Sequence, residues 1–313
     1  MASSTRVVLA ALFANAAIAV LKFGGWALTG SPSMLSETYH SISDTGNQVF
    51  LLVGIRYGSR DPTRSHPFGY GKAQFFYSFL VSVLLFGIAG WESASHGYSA
   101  IVHPHVPPTG AITRFGVTVP EVWVNYAILL GAIGFEGYAF SKAYANVSGQ
   151  IREYEWSGFV EAFQKTSDVT VLTALTEDTV AISGAGLALA GVFLTRVTGN
   201  PLYDAVTALL IGLLLMGFAV ALAWQNKRLL IGESLPPRDE ARLRDLILDH
   251  EGVVHVDVFR TVYFGPERAV VTADVSFDPD LETETIDDVI TDIEDAIRHA
   301  DDRIQHVYIE PEI

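Results

Sequence analysis

The chain has 313 residues, half of them hydrophobic, and a positive mean hydropathy of +0.31, which is too apolar for an ordinary soluble protein of this length. It has no cysteine, so disulfides and thiolate metal sites are excluded. The net charge of −15 is concentrated in 227–313, where 22 acidic side chains face 9 basic ones, and nucleic acid, which needs a basic face, is excluded as a partner.

A bilayer core needs about 20 mostly apolar residues per helix. Six segments qualify, at 8–28, 34–55, 75–95, 122–143, 169–194 and 202–224, with Pro- and Gly-marked loops between them. The first is expected to remain uncleaved, because no small-residue cleavage site precedes a soluble segment and another span follows at once. Lys and Arg gather at one set of helix ends, from Arg6 through Arg56, Arg64 and Lys142 to Arg228, against only Arg114 and Arg196 at the other. The positive-inside rule then places both termini in the cytoplasm.

The second span contains "SETYHSISDTGNQ". His40 and Asp44 are four residues apart, hence on one helix face, about 6 Å apart along the axis. An imidazole and a carboxylate so placed can ligate one divalent cation together, or can form a buried hydrogen bond that only stabilises packing. The loop "RSHPFGYGKAQ" follows, with Pro67, Gly69 and Gly71 as turn formers leading into the third span. Glu92 lies in that span, and "VHPHV" places His103 and His105 beyond it as a weak external pair. Glu136 is deep in the fourth span and can either pair with Lys22 of the first or shuttle protons. Asp168 lies just before the fifth span.

The fifth span contains "LTEDTVAISG", with Glu177 and Asp178 in an apolar run. Adjacent residues point about 100° apart, so one of them can face the second span while the other faces a different neighbour or a dimer partner. Asp178 with His40 and Asp44 makes an N, O, O set that water or Glu177 completes to a tetrahedron, which zinc accepts. The same donors admit Mn2+, Fe2+, Co2+ or Cd2+, and His40 tilts the choice toward zinc. Both ligand types bind metal only after losing their protons, so a site open alternately to each side can exchange metal for protons. Asp204 opens the sixth span, in the position of a helix cap.

The remainder, 227–313, reads as a small α/β domain. "PPRDEARLRDLILDHEG" has helical spacing with Pro at its start and Gly at its end. "VVHVDVF" alternates Val254, Val256 and Val258 against His255 and Asp257, the pattern of a half-buried strand. "RAVVTADVSF" is a second strand, "ETIDDVITDIEDAIRHA" an amphipathic helix and "IQHVYIE" a third strand. The order αββαβ suggests one sheet with its helices on one face.

In order along the chain, "SETYHSISDTGNQ", "HPFGYGK", "LTEDTVAISG", "GNPLYDA" and "LLIGES" resemble the cation diffusion facilitators, over essentially the whole chain. The Glu-Asp pair and "GNPLYD" look most like the branch that includes the animal mitochondrial zinc exporter. The resemblance implies a membrane domain of six helices at 1–226 and a cytoplasmic ferredoxin-like αββαβ domain at 227–313. It also implies a homodimer in the cell membrane, both termini cytoplasmic, that exports zinc or a related divalent metal in exchange for protons and carries no prosthetic group. His40 and Asp44 match the family's first metal pair. The fifth span departs from the commoner pattern of His or Asp followed four residues on by Asp, because Asp178 is followed there by Ile182 and Glu177 by Ala181. Asp178 remains the clear ligand of that helix, with Glu177 as the other candidate. His66 in the loop and His306 in the tail are secondary metal candidates by the same resemblance, against the plainer readings of a turn and a solvated histidine.

An intramembrane metalloenzyme is disfavoured: no HExxH helix occurs and no compelling nucleophile sits beside His40. An uncoupled metal channel or a metal sensor is the remaining alternative to an antiporter.

Overall fold

A computed structural model of the chain describes all residues except Met1, 105–110, 115–116, 166–168, Glu267 and Ile313, so His105 and Asp168 lie outside the described residues. The chain forms two compact units, Met1–Gly54 with Tyr77–Gln225, and Ile55–Phe76 with Asn226–Ile313.

The first unit is helical. Helix α1 (Ala2–Thr29) ends at Gly30, whose φ of +65° only glycine adopts without strain, and α2 (Pro32–Gly58) starts on proline, whose missing N–H costs nothing in a first turn. The next crossing is α3 (Lys72–Leu84), a π-helical turn at Leu85–Gly90, and α4 (Trp91–Val102). A short antiparallel pair, β1 (Ala111–Arg114) and β2 (Val117–Pro120), leads into α5 (Glu121–Glu153). Then come α6 (Phe159–Lys165), α7 (Val169–Thr198) and α8 (Leu202–Ile231).

Among the described residues four helical runs are long and apolar enough to cross a membrane: Leu12–Thr29, Lys72–Val102, Leu175–Thr198 and Leu202–Ile231. Helices α2 and α5 have 27 and 33 residues, but their polar side chains keep them below that apolarity. Met34, Leu85, Leu129, Val180, Ile211 and Leu215 form the core shared by α2, the π turn, α5, α7 and α8.

Small residues let the helices approach closely, as expected where lipid supplies no hydrophobic drive for association. A Cβ at Gly97 would strike the Leu209 backbone, and one at Gly212 the Ala94 backbone, so α4 and α8 cross nearly backbone to backbone. A Cβ at Gly191 would strike the Thr207 side chain, so this glycine leaves room for Thr207 between α7 and α8.

The second unit contains α9 (Pro237–Leu248), β3 (Val253–Gly265), β4 (Arg268–Phe277), α10 (Thr283–Ala300) and β5 (Ile304–Glu312). The three-stranded sheet has the order β3-β4-β5, antiparallel in its first pair and parallel in its second, with α10 making the crossover. Ile286, Ile293 and Ile297 give α10 its buried stripe, and Val271, Ala273, Val275 and Phe277 give the central strand its buried face. The alternation expected for "VVHVDVF" fails: Val256 is buried, but Val254 is 63 % exposed. Register shifts at 253–255 and 256–258 break the period of two there, and β3 extends to Gly265 with its buried part at its far end.

The segment between α2 and α3 belongs to this second unit. Phe68 packs on Phe264 (6.1 Å between ring centroids) and His306 (5.5 Å). Gly71 lies on the strand backbone, where a Cβ would come within 2.6 Å of the Phe264 carbonyl oxygen. Deeper in, Arg303 donates to Asp239, to Asp301 (2.6 Å) and to the Tyr263 hydroxyl (3.2 Å). Burial raises the Asp301 carboxyl, but the hydrogen bonds and charge of Arg303 outweigh it and hold the group below the usual carboxylate range.

Two outcomes follow. A folded-state value below the unfolded one means that Asp301 stabilises fully above the unfolded value, about pH 4, and loses that contribution as pH falls through the lower folded value. Acid titration of the full chain, followed by circular dichroism, is therefore expected to show a loss below about pH 4 that is smaller in Arg303→Met, which is less stable at pH 7. Gly212→Val, which forces β-branched bulk onto the Ala94 backbone, is expected to destabilise the membrane unit by about 1–3 kcal/mol in thermal unfolding in detergent.

Candidate metal site in the membrane domain

Helix α2 is polar inside and apolar outside. Ser33, Ser36, Glu37, His40, Ser41, Asp44 and Asn47 are buried, whereas Ile42, Val49 and Val53 on the other side are exposed. Glu37, His40, Asp44 and Asn47 follow a helical spacing of three, four and three residues, so they form one inward stripe.

At the top of the stripe Lys22 of α1 pairs with Glu37 Oε2 at 2.7 Å, both side chains fully buried. The ammonium therefore serves Glu37 and not Glu136, the partner that the sequence left open. One turn on, His40 Nε2 lies 3.5 Å from Asp44 Oδ2, but no hydrogen bond closes between them. Both His40 ring nitrogens, Asp44 Oδ1 and Glu37 Oε1 are buried without a hydrogen-bond partner. Four such atoms on one stripe are unusual, since buried polar atoms are paired in the great majority of cases. These donor types, imidazole nitrogen and carboxylate oxygen, fit a divalent cation.

Helix α7 meets this stripe along its own. Asn47 Nδ2 donates to Glu177 Oε1 at 2.8 Å. Seven residues on, Gly184 admits Glu37, since a Cβ there would stand 2.5 Å from Glu37 Oε1. Between these contacts the same face of α7 presents buried Val180 and Ala181. Glu177 is thus the acidic residue that α7 turns toward α2. Asp178 is rotated about 100° from it on the same helix. Among the described residues no three His, Asp or Glu side chains converge closely enough to hold a metal ion. His40 with Asp44 and Glu177 with Asn47 are two neighbouring groupings.

Asp204 does not cap α8. Asn200 does so, its Oδ1 accepting from the Leu202 N–H at 3.0 Å. Asp204 is buried and accepts from Ser31 (2.6 Å) and Ser33, which ties the α1–α2 turn to α8. His66 is exposed, stacked on Tyr70 at 4.3 Å with Nδ1 3.1 Å from Ser65 Oγ, in the turn that Thr63 and His66 close. His306 is half-buried among Phe68, Phe264 and Tyr308. The Lys22–Glu37 pair and the Asp204 clasp escaped the sequence reading, although a lysine in the middle of an apolar span was a visible signal.

Gly184→Ala is expected to push Glu37 aside and cost about 1–3 kcal/mol in thermal unfolding. Gly186→Ala, where a Cβ meets nothing within 4 Å, is expected to be neutral or to stabilise by up to about 1 kcal/mol.

Residues 8–231 match the cation efflux transmembrane domain family and residues 235–312 the cation efflux protein cytoplasmic domain family. The human protein named proton-coupled zinc antiporter SLC30A9, mitochondrial, is 31 % identical over 273 residues, which is 87 % of this chain and 46 % of that protein. Its Xenopus laevis counterpart is 30 % identical over 294 residues, 92 % of this chain and 50 % of that protein. Metal tolerance protein C4 of Arabidopsis thaliana is 28 % identical over 274 residues, 88 % of this chain and 57 % of that protein. The chain spans about half the length of these curated relatives. It belongs to the cation efflux family, whose members are integral membrane transporters and not enzymes.

Proposed function

We propose that this member of the cation efflux family exports a divalent metal from the cytoplasm in exchange for protons by alternating access, with zinc as the first candidate among Zn2+, Mn2+, Fe2+, Co2+ and Cd2+. The observation that carries the reading is the row of unpartnered buried polar atoms on α2, centred on His40 and Asp44. Relatives named as a proton-coupled zinc antiporter support the choice of metal and of counter-ion.

In this reading the cation binds His40 and Asp44, and α7 supplies Asp178, with Glu177 or water completing the set. Loading requires α7 to turn or slide, because its α2-facing stripe presents Glu177, Val180, Ala181 and Gly184. Imidazole and carboxylate each release a proton when metal binds and take one up when it leaves, which is the coupling. His66 and His306 are secondary metal candidates, the first at the loop before α3 and the second beside it in the tail.

The architecture proposed is six membrane-spanning helices in 1–226, with α2 and α5 crossing by virtue of burying their polar faces, and a ferredoxin-like αββαβ domain in 227–313. The protein acts as a homodimer in the cell membrane with both termini cytoplasmic. An uncoupled channel or a metal sensor is the alternative.

Purified protein in liposomes, assayed with each of the five metals, tests the reading. Asp44→Ala and Asp178→Ala are each expected to lower flux by about tenfold or more while dimers persist by size-exclusion chromatography. Undiminished flux in both overturns the ligand assignment. Flux that ignores an imposed pH gradient overturns the antiport and favours the channel.

A further inference from the structure

We propose that Glu37 is a further ligand on the cation's route, one helical turn from His40, and that Lys22 is a tethered cation that occupies Glu37 whenever the metal does not. The inference rests on the transport reading and adds to it a site beyond the His40, Asp44, Glu177 and Asp178 set.

The first support is the cost of the pair. Lys22 and Glu37 are both fully buried within the membrane unit. A buried ion pair there contributes little net stability compared with neutral side chains of similar size. Packing alone therefore gives no reason for two charges at this place.

The second is that the carboxylate is only half used. Oε2 holds the Lys22 ammonium, while Oε1 has no hydrogen-bond partner although the side chain is completely buried. A purely structural carboxylate in this setting satisfies both oxygens. Here the free oxygen points at Gly184, and the missing side chain is what leaves room for it.

The third is alignment. Glu37 Oε1, the His40 nitrogens and Asp44 Oδ1 belong to residues i, i+3 and i+7 of one helix, spanning about 10 Å of rise. Each is a buried polar atom without a hydrogen-bond partner, and the carboxylate oxygens and a deprotonated imidazole nitrogen are lone-pair donors to a cation. A cation stepping along this row satisfies them in turn, from Asp44 and His40 to His40 and Glu37. The facing stripe of α7 is Val180, Ala181 and Gly184, which offers no side-chain donor to compete.

Lys22 then has a definite task. Its ammonium is a compact charge on a flexible stem, able to leave Glu37 as the metal arrives and to return behind it. Its charge keeps the Glu37 position from holding a divalent ion too tightly, and conduction requires sites that the ion can leave.

The test uses the full chain and Zn2+ alone, with equilibrium binding in detergent and flux in liposomes. Lys22→Met leaves Glu37 bare and is expected to bind Zn2+ at least about tenfold tighter while transporting it more slowly. The double variant Lys22→Met with Glu37→Gln, neutral and of matched length, is expected to lose the gain in affinity and to transport at least about tenfold more slowly than the parent. A double variant with the parent's flux makes the pair structural and overturns the proposal, as does an unchanged affinity in Lys22→Met. Should Lys22→Met fail to fold, the double variant decides alone. Asp44→Asn separates the two readings: its loss of binding beside a double variant of normal flux sinks only the role of Glu37. Unaltered binding in Asp44→Asn, or no flux of any metal through the parent chain, overturns the transport site and this inference with it.

Discussion

A helix whose inner stripe carries Glu37, His40, Asp44 and Asn47 has no stable place in lipid unless every neighbour turns a compatible surface toward it. The membrane unit is arranged around that requirement. Helix α1 brings Lys22, α7 brings Glu177 and the gap at Gly184, and α8 brings Asp204 to Ser31 and Ser33. From the following crossing, Tyr77 stacks on Phe50 at 6.3 Å and His96 on Tyr39 at 5.8 Å. The polar helix thus meets side chains from α1, α3, α4, α7 and α8, and its outward apolar residues Ile42, Val49 and Val53 are what remain for lipid.

The glycines belong to the same argument. Where a polar side chain must be met across a helix interface, space has to be made, and Gly184 makes it for Glu37. Where no polar group intervenes, glycine serves instead to bring backbones together, as Gly97 and Gly212 do between α4 and α8. The same residue type therefore makes room for a carboxylate in one interface and for close backbone packing in the other. The difference lies in what the added Cβ would strike, a carboxylate oxygen or a main chain.

Much of this was legible in the sequence, because hydropathy and helical spacing are local. Four of the six expected spans, the His40–Asp44 face and the αββαβ order of the tail follow from hydropathy and residue periods alone. What was not legible depends on rotation between helices. The sequence offered Glu136 as a partner for Lys22, and only the facing of α1 on α2 selects Glu37. Asp204 sits where a cap belongs, yet Asn200 takes that role, so the carboxylate is left for two serines some 170 residues away in sequence. The exposed Val254 has a similar cause: a bulge shifts the strand by one residue, and a period-two reading has no means of locating it.

Rotation also decides what two neighbouring carboxylates can do. Glu177 and Asp178 are adjacent on α7, so they cannot both face α2; here Glu177 does, held by Asn47. A helix presenting residues four apart would place both ligands on one side at once, whereas adjacent residues offer alternatives. A turn of α7 of about 100° exchanges one acid for the other at the α2 interface. It would also have to part Asn47 from Glu177 and move Gly184 off Glu37, so the two α2–α7 contacts and the identity of the facing carboxylate must change together. On this geometry an arrangement of α7 that presents Asp178 toward α2 is one in which Gly184 has moved off Glu37, so the acid facing His40 and the cover over Glu37 are tied to one movement.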